Sequence, residues 1–260
     1  MNELFSIRQS LERGWDVTEK NSGLLFTVLL TIAALQVAGA LVDKFSIGMF
    51  ATAVVIAAGV VFGAGLTVIG LKLAEGERAV YADIIPPLRT IIRFFFSGLF
   101  AGIAALLPLA VAFAGTMWQV ASAMGYAQFY SALSAAQANP DLAGDTINLL
   151  VAHLNWVGVA VGLIGVVLSA YIGLRYMMAR FAAVDGCSVR ESLRESAVMT
   201  RGVKWRLLLF IVTLIFLNLL GVAIFLIGLL ITIPVSLIAS VDVYLKLKAH
   251  SPAPAAPSTK

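Results

Sequence analysis

Long apolar runs alternate with short charged segments along this chain, and the lengths of the runs decide what they are. Gly23 to Val42 carries no charge; at about 1.5 Å per residue, a helix of that length matches the ~30 Å hydrocarbon core of a bilayer. Asp43 and Lys44 form a turn, and Phe45 to Leu73 returns across the membrane. Pro86 and Pro87 stop any helix arriving from Ala79, so a third span starts just after them, with Pro108 placed to kink it. Trp156 to Tyr171 or slightly beyond is the fourth. Leu207 to Val241 is uncharged and too long for one span, so it reads as a tight hairpin of two, turning near Asn218, Gly221 and Gly228. The pattern predicts an all-α fold, a six-span transmembrane helical bundle in a single domain over residues 1–248. The spans fall at about 23–42, 46–71, 90–117, 156–176, 207–223 and 226–245.

Two charged segments have the pattern of amphipathic helices lying on a membrane surface. In the first, Ser6 and Gln9 fit a capping box, and Ile7, Leu11 and Trp15 fall four apart on one face, with Trp15 near the headgroups. In the second, Asp185-Gly186 makes a turn, Ser188 and Glu191 repeat the capping box, and Glu191 can pair with Arg194. Ser6-Ile7-Arg8-Gln9-Ser10-Leu11 aligns with Ser188-Val189-Arg190-Glu191-Ser192-Leu193 at a constant offset of 182, which also brings Thr18 onto Thr200. Both segments precede a two-span hairpin, and Ala79 to Trp118 has the same layout of a charged approach and a span. This suggests three repeated helix-plus-hairpin units of parallel symmetry, unlike the inverted repeats of many secondary transporters. The alternative is two unrelated surface helices that share common helix-start residues.

Composition sharpens this picture. With 60% hydrophobic and 12% charged residues and a mean hydropathy of +0.96, the chain is too apolar for a soluble domain. Six spans put both termini on one side, together with the segments at 72–93 and 172–206. That side then holds every Arg and Lys except Lys44, 17 of the 18, and the positive-inside rule makes it the cytoplasm. The net charge of +4 is spread through these orientation segments, so no nucleic-acid partner is expected. Residues 119–155 contain no Lys or Arg and read as a periplasmic loop, with interfacial helices under Tyr126, Phe129 and Tyr130. Some twenty polar and charged residues precede the first run, so no cleavable signal peptide is expected and the first span is the insertion signal. Residues 249–260 read as a disordered tail.

From Tyr171 onward the sequence runs YIGLRYMMARFAAVDG, SVRESLRESAVMTRG, LNLLG, GLLITIP and a closing Tyr244. This stretch resembles bacterial multi-pass proteins related to the membrane domain attached to some glycerophosphoryl diester phosphodiesterases. The match is close over the C-terminal third and holds in outline elsewhere. Members often carry Pro-Gly where this chain has Ser169-Ala170. The resemblance implies the six-span fold and a location in the bacterial cytoplasmic (inner) membrane. It does not carry over the phosphodiesterase activity, which belongs to a separate soluble barrel.

Residues that could carry chemistry are few. Cys187 is the only cysteine, which excludes an intramolecular disulfide. His153 with Asp141 and Asp145 is a weak metal or proton site at best, and an interfacial histidine beside Trp156 is the better reading. No cofactor, metal or catalytic residue is expected, and the chain reads as a non-enzymatic membrane module or assembly partner. Gly59/Gly63, Gly98/Gly102 and Gly158/Gly162 have the four-residue spacing that lets helices approach closely. Arg190, Arg194, Arg201, Lys204 and Arg206 can grip anionic headgroups. Membrane lipids, a membrane-protein partner or a second copy of the chain are the expected partners. Gln36 and Asn218 are polar residues inside spans, read as interhelical glue. In the alternative, a permease or efflux component for a small apolar or lipid-like solute, they line the path. Asp242 is expected to pair with Lys246 one turn on.

Overall fold

A computed structural model describes residues 5–43, 48–224 and 228–251, with side chains at 5–39, 52–224 and 228–251. Every regular element among them is helical. In chain order these are α1 (Ile7–Lys20), α2 (Ser22–Asp43), α3 (Gly48–Glu75), a 3-10 turn (Tyr81–Ile84), α4 (Leu88–Met124), α5 (Tyr126–Ala138), a 3-10 turn (Pro140–Leu142), α6 (Ala143–Ala152), α7 (Trp156–Tyr176), α8 (Ala179–Val184), α9 (Val189–Met199), α10 (Lys204–Ala223) and α11 (Leu229–His250). Six of them, α2, α3, α4, α7, α10 and α11, are long and apolar enough to cross a membrane. The chain is a multi-pass membrane protein. Lys44, the middle of the α10–α11 turn (225–227) and the tail from 252 lie outside the described residues.

The expected breaks fall where backbone chemistry requires them. α4 starts at Leu88, directly after the two prolines, and α10 and α11 form the hairpin that the uncharged run demanded. The third span is longer than expected: α4 continues past Trp118 to Met124, about 55 Å of helix.

Two compact units make up the chain, one from residues 1–101 and 174–260, the other from Gly102–Gly173. In the second, the C-terminal part of α4 packs on α7. Ser169 Oγ donates to Ala105 O at 2.6 Å and Thr116 Oγ1 to Gly158 O at 3.2 Å. Val120, Ala121, Met124 and Phe129 form a small core there, against Leu149, Leu150 and Leu154.

The first unit is built around α11, whose Val235 and Ile238 to Tyr244 are all buried. Leu25 and Val28 of α2, Ile69 of α3 and Leu207 and Phe210 of α10 belong to the same core. α1 lies against α11, by a face other than the apolar stripe. Its buried residues are Ser10, Gly14 and Thr18, while Ile7 and Leu11 flank the core and Trp15 points out, 54% exposed. The reason is close approach: a Cβ at Gly14 would lie 2.6 Å from the Val235 carbonyl oxygen, and small residues let helix backbones meet where burying apolar area gains little over lipid. Ser6 makes no side-chain cap bond, so the first capping box is absent; Phe5, buried edge-on against Phe210, secures the helix start instead. Polar contacts complete the docking. Buried Asp242 pairs with Lys246 at 2.6 Å, as its spacing suggested, and with Arg13 at 3.4 Å, while Arg13 also donates to Ala74 O of α3 at 2.6 Å. Lys246 reaches Ser10 Oγ at 3.3 Å.

The segment ahead of α4 holds no surface helix. It folds as the Tyr81–Ile84 turn, pinned where Asp83 accepts from Lys72 Nζ at 2.6 Å and from Val80 N at 2.9 Å. Burial raises the Asp83 pKa, but the Lys72 and Val80 bonds outweigh it and hold the carboxyl below its ordinary value.

Replacing Gly14 by Leu should destabilise the fold by about 1–3 kcal/mol through overpacking against the α11 backbone. Thermal unfolding in detergent checks this, with Gly23→Leu, where a side chain meets open space, expected to leave the midpoint in place.

Candidate functional site

α7 stops at Tyr176 and the chain re-enters helix at Ala179. Such a break frees backbone groups that need partners, and α9 supplies them. Ser196 Oγ donates to Arg175 O at 2.9 Å and accepts from Met178 N at 3.2 Å, so one hydroxyl bridges the gap. Thr200 Oγ1 also reaches Arg175 O, at 3.2 Å. Ser192, Ser196 and Thr200 are fully buried, a small polar face like that of α1.

The turn leading into α9 is held from three other helices. Gly186 has φ of 103°, a conformation that favours glycine; its carbonyl accepts from Arg93 Nη1 of α4 at 2.7 Å. Asp185 accepts from Tyr244 and Lys248 of α11, both at 2.5 Å, and Tyr244 stacks on Phe181 of α8. Cys187 Sγ donates to Glu195 of α9 at 3.2 Å. Burial first, then the Glu195 carboxylate and the charges of Asp185 and Glu191, push this thiol up to about 12. Ser188 caps α9 in a complete capping box. The Glu191 carboxylate therefore bonds Ser188 N at 2.9 Å. It makes no ion pair with Arg194, contrary to expectation, because the cap claims it. The Ser188 bonds hold its carboxyl below the ordinary value.

Beside this joint lies a cleft of about 310 Å³. Arg175 and Tyr176 of α7, Leu193, Arg194, Ala197 and Val198 of α9, and Arg201 just beyond it line the walls. The Arg175 guanidinium lies 5.8 Å from the Tyr176 ring centroid, and its Nε is buried without a hydrogen-bond partner. Of the basic residues read as lipid contacts, Arg194 and Arg201 come together here. Arg190 is exposed on α9 outside the cleft, and Lys204 and Arg206 begin α10, where each makes contacts of its own. Arg175 was legible only as the marker of a span's end.

Other sequence-marked residues lie apart. Asn218 Nδ2 donates to Leu214 O at 2.8 Å and to Ser236 Oγ of α11 at 2.9 Å; its Oδ1 and the Thr232 Oγ1 are buried without partners. Gln36 is exposed on α2. A Cβ at Gly63 would meet the Phe94 ring at 3.5 Å, and the Arg180 guanidinium lies across Gly98 while stacking over Phe94. Gly158 and Gly162 face Gln119 and Thr116 of α4 within the chain, whereas Gly59 and Gly102 face open space. Gly65, not singled out by the spacing, is in close approach to the Ile84 carbonyl. His153 is engaged with Leu149 O at 2.9 Å, and among the described residues no three His, Cys, Asp or Glu side chains gather to hold a metal. No protein-family model matches the chain, nor does any curated protein or solved structure.

Cys187 should label very slowly with maleimide at pH 8, because a thiol with a pKa near 12 is almost wholly protonated there. Its rate should climb steeply as pH rises, and Glu195→Gln should speed it at fixed pH. Rapid stoichiometric labelling of the native protein at pH 8 would contradict this geometry.

Proposed function

We propose that the chain is a non-enzymatic module of a bacterial cytoplasmic membrane, with both termini in the cytoplasm, that holds anionic lipid on a basic face built by α9. The observation that carries this reading is the orientation of α9. Its small polar face is consumed in docking, which leaves Arg190, Arg194 and Arg201 exposed, and none of the three forms an ion pair with a described carboxylate within 4.0 Å. Unpaired Arg near a bilayer attracts anionic headgroups by about 1 kcal/mol each. The excess of Lys and Arg on this side of the six spans supports the orientation. The resemblance to phosphodiesterase-linked membrane domains fits a module whose chemistry, where there is any, is done by another domain or partner. Gly59 and Gly102, open on their helices, are the places where such a partner or a second copy could approach closely.

Extraction into polymer discs followed by mass spectrometry of lipid and protein tests the reading. Anionic phospholipid should be enriched over the bulk membrane, and the enrichment should fall when Arg190, Arg194 and Arg201 are all changed to Gln. Disc lipid identical to bulk in the wild type would sink it.

The unpartnered oxygens of Asn218 and Thr232 favour a second reading, the permease for a small apolar or lipid-like solute. Asn218→Leu with Gln36→Leu would then abolish solute flux in vesicles. On the module reading the pair only lowers thermal stability, by about 0.6 kcal/mol per interhelical bond lost.

A further inference from the structure

We infer that the cleft between the end of α7 and α9 is a discrete site for one anionic phosphate headgroup, gripped by Arg175, Arg194 and Arg201. This rests on the lipid-holding reading and narrows it from a basic surface to one place. The cleft's volume of about 310 Å³ lies at the lower end of the range for small-ligand sites. Three guanidinium groups line it, and none has a carboxylate among the described residues. Lys72, Lys246 and Lys248 of the same unit do have carboxylate partners, in Asp83, Asp242 and Asp185, and what sets the three arginines apart from its other unpaired cations is that they share one cleft. Three like charges gathered in one cleft repel unless an anion joins them, and a guanidinium fork matches the spacing of phosphate oxygens.

Arg175 is prepared for that role. Tyr176 holds its guanidinium, Ser196 and Thr200 hold its backbone carbonyl, and its Nε carries a buried donor with no partner inside the protein. An unmade bond of that kind is costly. The source of the phosphate follows from the remaining wall. Leu193 and Val198 give the cleft an apolar side, and Arg175 sits in the last turn of a membrane-length helix, at the depth where a phospholipid carries its phosphate above its acyl chains.

The test is native mass spectrometry of the full chain in mild detergent, titrated with dioleoylphosphatidic acid, dioleoylphosphatidylglycerol or dioleoylphosphatidylcholine. One equivalent of anionic lipid should bind in preference to phosphatidylcholine. Arg175→Gln with Arg201→Gln should weaken it by about tenfold or more, while Arg8→Gln with Arg78→Gln, an equal charge loss at exposed residues outside the cleft, should change it by less than about twofold. Ala197→Trp, which fills the cleft and alters no charge, should reproduce the loss and stands in should the Arg175 variant fail to fold. Equal losses from the two Arg pairs would overturn the cleft and leave the basic-face reading intact. No preference of the wild type for anionic lipid would overturn both. Displacement of the lipid by millimolar inorganic phosphate would assign the cleft to a soluble anion and overturn the lipid as its ligand.

Discussion

One hydroxyl holds the joint between α7 and α9 together. Where α7 ends, the Arg175 carbonyl and the Met178 amide lose their helical partners, and Ser196 Oγ meets both. At a membrane surface an unsatisfied backbone group is costly, so this bridge fixes the position of α9 more firmly than apolar contact would. Everything downstream inherits that placement. The capped start of α9, the Asp185–Gly186 turn and the hairpin of α10 and α11 are referred to one another through Tyr244 and Lys248 on Asp185 and Arg93 on Gly186. Tyr244, some sixty residues further along the chain, is thereby brought onto the turn that joins α8 to α9.

α1 and α9 solve the same packing problem with the same register. Their buried residues, Ser10, Gly14 and Thr18 in one and Ser192, Ser196 and Thr200 in the other, differ in number by the offset of 182 that aligns the two segments. The solutions diverge in what is docked upon. α1 lies on the continuous backbone of α11, where a glycine is needed for clearance, and α9 lies on a broken helix end, where a serine is needed for its hydroxyl. The third stretch, ahead of α4, has a single 3-10 turn at Tyr81–Ile84 and no counterpart of either helix.

The six spans were legible because bilayer thickness imposes a length on uncharged runs and proline imposes a start, as Pro87 does for Leu88. The docking faces were not. Hydrophobic periodicity marks Ile7, Leu11 and Trp15 as the membrane-facing stripe of α1 and says nothing of what the rest of the helix docks on. Next to lipid, closeness of backbones decides, so Ser10, Gly14 and Thr18 go inward and Trp15 outward. Glycine spacing alone does not say which glycines pack within the chain. Four-residue pairs are common in apolar helices, and what distinguishes Gly65, pressed on the Ile84 carbonyl, from Gly59, facing open space, is the path of another segment. Of the cleft, Arg194 and Arg201 could be read from the charge of α9, but Arg175 could not, since a basic residue closing a span has a sufficient explanation in topology.

These features meet in the two faces of α9. Its inward face is so small that the helix backbone sits close to the end of α7, and this closeness brings Arg194 and Arg201 onto the same cleft as Arg175. A larger inward residue would lift α9 and separate the three cations before it disturbed any of them directly. The register that satisfies the broken helix is thus the register that concentrates the positive charge. A change in the docking face would move the arginines without touching one, whereas changes confined to the outward wall, such as those at Arg201 or Ala197, leave the docking bonds in place.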